Sequence, residues 1–271
     1  MHQEDQQSSI TLKGLIVPVL TPFKDSGEVD EHAFIRHLEF LAHHGVQRIL
    51  VNGTTAEFHS LLPKERKMLL KLARRNFHGF IVLHACGLGL SEKKIEVQWA
   101  NKLGADAVAS LPPIYPAGLS TAGIIEYLQA LEAEAEVPFI LYNFPKHTGN
   151  ALTPEILKAV PHVALKDSAQ NLELMEHTPK YFVGSGTNIF EPIQQGAAGF
   201  VSGPANVRPE LYTAFEMLLA DARIEEAAVM QEEVRAYGAQ FSAAGVPALK
   251  QALARTLPGY PVNVRTPLCE S

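Results

Sequence analysis

The sequence predicts an α/β protein, a (β/α)₈ barrel with a short helical extension at its C-terminal end. The chain has 271 residues, a usual length for one such barrel. Short apolar runs rich in valine, isoleucine and leucine alternate eight times with amphipathic stretches, which favours eight strand–helix units. The runs do not carry polar residues at alternate positions, as is typical of strands covered on both faces of a parallel sheet.

The alternative fold is an open, doubly wound sheet, and the turn after the first strand disfavours it. Such sheets usually carry a glycine-rich turn at that point. Here the turn reads Thr21-Pro22-Phe23-Lys24 and contains no glycine.

The eight predicted strands follow one another in the order of the chain. They are residues 15–20, 48–51, 80–85, 107–111, 139–142, 162–165, 181–183 and 199–202.

Helices are predicted between these strands from apolar positions that recur at helical spacing. Ser120 or Thr121 caps one of them, and Thr153 caps another that has Pro154 at its first position. Pro209 opens the helix after the eighth strand. The apolar positions and ranges that predict the other helices are Phe34, Ile35, Leu38, Leu41 and Ala42, residues 63–77, residues 95–103, and Ile124, Ile125, Leu128 and Leu131.

The chain outside the barrel, which is predicted for residues 10–221, differs at its two ends. Residues 1–9 are polar and lack the basic start and apolar stretch of a signal peptide, so they are expected to form a disordered lead-in. Residues 222–271 show no further strand pattern. They are expected to form the C-terminal helical extension, with helices at 225–237 and 247–255.

Composition excludes several classes of partner. The net charge is −6 and no basic cluster is present, which argues against nucleic acid and anionic membrane surfaces. No apolar run is long enough to cross a bilayer. The two cysteines, Cys86 and Cys269, are too few for a disulfide framework, so a reducing cytoplasm is expected.

Polar residues that suit carbonyl chemistry stand at three predicted strand ends, where the active sites of such barrels lie. Lys166 closes the apolar run of the sixth strand, and burial there would favour its neutral, nucleophilic amine. Asp167 should point to the opposite face of the strand, away from Lys166. Tyr142 ends the fifth strand and is a candidate proton donor. Thr54-Thr55 follows the second strand and could hold a carboxylate.

Each of these residues also has a purely structural explanation, and two other site chemistries compete. Lys166 could snorkel out of the barrel rim, and Tyr142 could be a rim aromatic that packs on a loop. Histidines including His43, His44, His59 and His84 raise the possibility of a metal site, but no ligand spacing for a metal is present. A phosphate-binding isomerase is the other rival, because a loop reading Gly184-Ser185-Gly186-Thr187 follows the seventh strand.

The motifs at these strand ends resemble those of the dihydrodipicolinate synthase and N-acetylneuraminate lyase family. They are Gly53-Thr54-Thr55-Ala56-Glu57, Tyr142-Asn143-Phe144-Pro145 and Lys166-Asp167-Ser168, together with the opening Pro18-Val19-Leu20-Thr21-Pro22-Phe23. The resemblance runs from about Gly14 to Leu268 in matching order and spacing.

The resemblance implies a homo-oligomer, a dimer or tetramer, that makes or cleaves pyruvate-containing compounds with neither metal nor cofactor. It implies that Lys166 forms an imine with pyruvate and that Tyr142 is the acid and base at the aldehyde oxygen. Thr54 and Thr55 would bind the pyruvyl carboxylate, and Thr55 could relay protons to Tyr142. Tyr115 matches a second relay tyrosine that crosses a subunit boundary.

The same resemblance places further residues around the substrate. Gly186 and Ser202 belong to the wall around the keto acid. His147 stands where the synthases carry an arginine for the carboxylate of aspartate semialdehyde, and a neutral imidazole is a poor substitute for a guanidinium.

Other details are more similar to the 2-keto-3-deoxygluconate aldolase branch. They include Tyr115-Pro116 followed by Ser120, Asn171 after the lysine motif, and Ser185-Gly186. Ala117 replaces an arginine that this branch often uses for phosphorylated substrates, which argues against a phosphate. The chain also ends soon after Arg265-Thr266-Pro267-Leu268, where family members usually continue into one more helix.

Three functional hypotheses follow from the sequence. The first is a Schiff-base aldolase for a 2-keto-3-deoxy sugar acid, which joins or splits pyruvate and an aldehyde. The second is dihydrodipicolinate synthase, which condenses pyruvate with aspartate semialdehyde. The third is a non-catalytic barrel that binds a keto acid as a sensor. The sequence names neither the aldehyde nor the physiological direction.

Overall fold

The computed structural model describes residues 11–269 and shows a closed barrel of eight parallel strands. The strands pair in chain order, and the last pairs with the first. This confirms the predicted (β/α)₈ barrel, while the expected lead-in, residues 1–9, lies outside the described residues. The strands are β1 (Gly14–Pro18), β2 (Arg48–Val51), β3 (Phe80–Ala85), β4 (Ala107–Ser110), β5 (Phe139–Asn143), β6 (Ala164–Asp167), β7 (Tyr181–Gly184) and β8 (Gly199–Val201).

Ten α-helices accompany the strands within residues 11–269. The N-terminal caps expected from the sequence are present: Ser120 accepts from the amide of Gly123, and Thr153 accepts from that of Ile156. The helices are α1 (Glu31–His43), α2 (Pro63–Asn76), α3 (Leu90–Leu103), α4 (Thr121–Glu132), α5 (Pro145–Thr148), α6 (Pro154–Ala159), α7 (Phe190–Gln194), α8 (Pro209–Ala220), α9 (Ile224–Ala239) and α10 (Gly245–Thr256).

The structure differs from the predicted element pattern around β6 and β7. The connection between β6 and β7 is a 3₁₀ segment, Leu172–His177, and α7 between β7 and β8 has only five residues. The sixth strand begins and ends two residues later than predicted, since Lys166 and Asp167 continue the pairing with Tyr142 and Asn143. Polar side chains do not interrupt this ladder because parallel pairing uses only the backbone.

Strand alternation divides the core into two layers and fixes the direction of the site residues. An inner cluster fills the barrel, and a larger cluster packs the outer strand faces against the helices. Ala164 belongs to the inner cluster and Leu165 to the outer one. Lys166 therefore points into the barrel and Asp167 points out of it.

The C-terminal helices contact the end of the barrel where the chemistry is expected. Leu249, Ala252 and Leu253 of α10 form one buried cluster with Leu20 after β1 and Val207 after β8. Among the described residues, no helix combines the length and the apolar character that a membrane crossing requires.

Barrel closure leaves no room for a side chain at Gly199, which pairs with Gly14. A Cβ at this position would lie 2.2 Å from the carbonyl oxygen of Gly14 and 2.6 Å from a ring carbon of Phe182. We expect Gly199→Ala to lower the free energy of unfolding by about 2 kcal/mol, as overpacking does, measured by urea denaturation.

The matched control is Gly89→Ser, because a Cβ at Gly89 meets no atom within 4 Å. This variant also adds a hydroxyl at the N-cap of α3, and it should unfold within about 0.5 kcal/mol of the parent. Equal stability of the two variants would show that closure at Gly199 tolerates a side chain.

Candidate active site

A cavity of about 190 Å³ opens at the carboxyl ends of the strands. Lys166 is the one charged side chain among the described residues that line it. The lining residues are Pro18, Leu50, Gly53, Thr54, Thr55, Tyr142, Phe144, Lys166, Ser168, Gly184, Ser185, Gly186, Val201 and Gly203.

Lys166 is held in this cavity by a hydroxyl and an aromatic ring. Its Nζ donates to Ser168 Oγ at 2.9 Å and lies 3.5 Å from the ring centre of Tyr142. Burial lowers the pKa of Lys166 below its ordinary value, while Tyr142 and Asp167 oppose the shift more weakly. A larger share of this amine is therefore neutral near pH 7 than for a lysine in water, and the neutral amine is the nucleophile.

Asp167 does not pair with Lys166, because both of its carboxylate oxygens are bonded on the outer side of the barrel. Oδ1 accepts from Asn143 Nδ2 at 2.9 Å and from the amide of Ala169 at 2.8 Å. Oδ2 accepts from the Tyr181 hydroxyl at 2.8 Å and from the amide of Asn171 at 2.7 Å. The carboxylate thus joins β5 and β7 to the turn after β6, the turn that carries Ser168.

Tyr142 is buried beside Lys166, and its hydroxyl lies 3.2 Å from Thr54 Oγ1. This contact is made by Thr54 and not by Thr55, which was expected to relay protons to Tyr142; the relay itself stays a prediction. Thr54 and Thr55 begin a 3₁₀ turn, Thr54–Ala56, in which successive side chains point about 120° apart. Thr55 lines another part of the cavity, on the side of Gly203.

The other predicted substrate residues lie at different distances from the cavity. Gly186 lines it, and Ser202 is buried beside Gly186 without lining it. His147 stacks on Phe144 with ring centres 3.9 Å apart. Burial, followed by the charges of nearby Lys146, Lys166 and His59, lowers the pKa of His147, so its imidazole is mainly neutral near pH 7.

Tyr115 is not brought to the cavity of its own chain. Its side chain is 78% exposed, because the loop after β4 carries it to the surface. Tyr115 was expected to act across a subunit boundary, and this expectation stays a prediction.

Three residues that contact Lys166 or Tyr142 were not predicted from the sequence. Ser168 bonds Lys166, Phe144 lines the cavity, and His84 packs edge-on against Tyr142 with ring centres 5.4 Å apart. The alternation of side chains along a strand predicts the direction of two of them. Ser168 stands two residues after Lys166, and His84 stands two residues after Val82, which points into the barrel.

His84 is a neutral, buried imidazole under the site. Its Nδ1 lies 2.9 Å from the carbonyl oxygen of Asn52 and therefore carries the proton. Burial is the main reason that the pKa of His84 falls to about 3. In the described part of the chain, no group of three or more histidine, cysteine, aspartate or glutamate side chains is placed to hold a metal ion.

Comparisons with known proteins place the chain among relatives along its whole described length. The family model described as the dihydrodipicolinate synthetase family matches residues 11–271. A curated relative, 4-hydroxy-tetrahydrodipicolinate synthase from Staphylococcus haemolyticus, is 31% identical over 216 residues, which cover 74% of this chain and 73% of the relative.

Solved structures show the same fold at lower identity. A prophage protein of the dihydrodipicolinic acid synthase family from E. coli K12, in complex with pyruvate, superposes with a TM-score of 0.88 at 23% identity, covering 96% of this chain and 94% of that one. A variant of Sulfolobus solfataricus 2-keto-3-deoxygluconate aldolase gives a TM-score of 0.85 at 24% identity, covering 94% and 89%.

Two buried histidines should make the protein sensitive to mild acid. The pKa values of His37 and His84 both fall to about 3, chiefly through burial. Between pH 6.5 and 5 the unfolded chain takes up protons at these positions and the folded chain does not. Each histidine should therefore lower the free energy of unfolding by about 2 kcal/mol over this range, measured by urea denaturation at each pH.

His84→Leu serves as the matched variant, because it removes one of the two titrating groups. Its unfolding free energy should change over the same pH range by about 2 kcal/mol less than that of the parent. An unchanged dependence on pH would mean that His84 does not remain neutral in the fold.

Proposed function

Because the chain belongs to the dihydrodipicolinate synthetase family and is an enzyme of that family, a lyase, we propose that it forms or cleaves a carbon–carbon bond between pyruvate and an aldehyde. The reaction proceeds through an imine on Lys166. The observation that carries this proposal is the placement of the partly buried amine of Lys166, whose pKa is lowered, at 3.5 Å from the ring centre of Tyr142.

The cavity offers groups for both ends of pyruvate. Thr54 and Thr55, with the backbone amides of their turn, are suited to hold the carboxylate. The ketone carbon then faces Lys166. The pyruvate complex of the prophage protein from E. coli, which has the same fold, supports pyruvate as this ligand.

In the proposed mechanism the neutral amine of Lys166 attacks the ketone carbon, and loss of water gives the imine. The protonated imine withdraws electrons, so a methyl proton leaves and an enamine forms. The enamine carbon attacks the aldehyde carbon, Tyr142 donates a proton to the new alkoxide, and hydrolysis frees Lys166. Cleavage is the reverse sequence, and the lysine itself supplies the electron sink, so no separate cofactor is required.

The charge of the cavity favours an uncharged, hydroxylated aldehyde. Besides Lys166, no described lining residue carries a charge, and the neutral His147 is a weak partner for a second carboxylate. Ser168 and Ser185 present hydroxyls that can bond sugar hydroxyls. We therefore infer a 2-keto-3-deoxy sugar acid aldolase. The second candidate is dihydrodipicolinate synthase, which the names of the staphylococcal relatives favour.

Tyr115 supports a homo-oligomer, a dimer or tetramer, as the active form. A tyrosine that is 78% exposed beside the catalytic end of the barrel is available to the cavity of a second copy. In this arrangement Tyr115 would complete the proton path of the neighbouring Tyr142.

Reductive trapping tests the imine. With pyruvate and borohydride, Lys166 should gain the mass of a reduced pyruvyl group, and Tyr142→Phe should still be labelled while its turnover falls at least a hundredfold. Peptide mass spectrometry locates the label. Lys93 and Lys250 are internal controls, because both are buried and have pKa values lowered to about 8 but lie outside the cavity.

A folded protein without label on Lys166 would contradict the proposed imine. Labelling of Lys166 together with no turnover of any aldehyde would instead identify a keto-acid-binding barrel.

The aldehyde is tested by supplying pyruvate with aspartate semialdehyde, glyceraldehyde or N-acetylmannosamine and weighing the products. We expect glyceraldehyde to give the highest kcat/KM, because it is uncharged, unlike aspartate semialdehyde, and is smaller than N-acetylmannosamine in a cavity of about 190 Å³. A preference for aspartate semialdehyde would overturn the sugar acid assignment and favour the synthase.

A further inference from the structure

A buried ion pair connects the C-terminal extension to the turn that carries Thr54 and Thr55. Glu57 directly follows this turn, and Lys250 lies on α10; both side chains are fully buried. Lys250 Nζ donates to Glu57 Oε1 at 2.5 Å. The backbone amide of Arg265 donates to the other carboxylate oxygen of Glu57 at 2.9 Å.

The turn needs such support because the backbone at the residue that follows it is strained. Glu57 has φ of 57°, in the left-handed region, which residues other than glycine, asparagine and aspartate seldom adopt. Conformations of this kind persist only where surrounding contacts hold them. For Glu57 those contacts come from Lys250 and Arg265, which are 193 and 208 positions later in the chain.

Lys250 also contacts the chain after α10 and the loop between β1 and α1. Its Nζ also donates to the carbonyl of Asn263 at 2.7 Å and lies 4.4 Å from the ring centre of Phe23. The neighbouring Leu249 packs towards Gly203, which lines the cavity on the side of Thr55. α10 therefore contacts the region of Thr55 from two directions.

We propose that Lys250 and Glu57 are positioning residues, which set the place of the Thr54–Thr55 turn and thereby the affinity of the site for the carboxylate of pyruvate. This inference rests on the proposed function of that turn. Neither residue contacts the reacting atoms, so their removal should weaken pyruvate binding and leave the reactivity of bound pyruvate on Lys166 intact.

The test measures borohydride trapping of Lys166 as a function of pyruvate concentration in Lys250→Met. The half-saturating concentration should rise at least tenfold, while the trapped fraction at saturation stays within twofold of the parent. Arg36→Met is the matched control, because it removes another anchor of the C-terminal segment, the hydrogen bond from Arg36 Nη2 to the carbonyl of Pro258 at 2.7 Å, neither partner of which bonds Glu57 or Lys250. It should lower the melting temperature and leave half-saturation within twofold of the parent.

The double variant Glu57→Gln, Lys250→Met keeps the test decisive if Lys250→Met alone folds poorly. Removing both charges eliminates the unpaired buried carboxylate, so the melting temperature should recover relative to Lys250→Met. Half-saturation should remain at least fivefold above the parent. Recovery of affinity together with the melting temperature, or unchanged half-saturation in folded Lys250→Met, would overturn the positioning role.

Hydrogen exchange of the peptide that contains residues 53–60 separates this inference from the proposed function. Its amides should exchange at least tenfold faster in Lys250→Met than in the parent, whether or not pyruvate binds. A parent protein that traps no pyruvate would refute the proposed function alone, whereas unchanged exchange in the variant would refute the positioning role.

Discussion

The burial of one amine at an inward position of a closed barrel is the constraint on which the site depends. A lysine in water is almost fully protonated at neutral pH, and desolvation favours the uncharged form. The barrel provides desolvation because strand alternation turns Lys166 inwards, above a layer of apolar side chains. The opposite face of the same strand carries Asp167, whose two oxygens are occupied by four outer hydrogen bonds.

The two buried lysines, Lys93 and Lys250, and the partly buried Lys166 show how partners determine the state of such an amine. Lys250 has a carboxylate partner in Glu57, and Lys93 donates to the carbonyl of Leu111 at 2.7 Å and to Ser110. These contacts stabilise the ammonium forms of Lys93 and Lys250, neither of which lines the cavity. Lys166 donates to the hydroxyl of Ser168, lies against the ring of Tyr142 and faces the cavity. Of the three, Lys166 alone combines a lowered pKa with access to a carbonyl carbon.

Local patterns in the sequence were sufficient for the barrel and for the opposite directions of Lys166 and Asp167, because both depend on alternation within single strands. The hydroxyl beside Tyr142 was expected from Thr55 and is that of Thr54, since the 3₁₀ turn that separates their side chains has no distinct sequence signal. The contacts of His84 with Tyr142 and of Lys250 with Glu57 join segments that are distant along the chain. Pairings of this kind depend on tertiary geometry, which no single run of residues encodes.

The route from Glu57 to Lys250 and Arg265 has a consequence for the order in which the molecule matures. During synthesis on a ribosome, β8 must emerge before the first and last strands can close the barrel and enclose Lys166. The threonine turn obtains its support still later, when α10 and the segment around Arg265 have left the exit tunnel. A nascent chain therefore encloses Lys166 before the turn of Thr54 and Thr55 gains its contacts with Lys250 and Arg265.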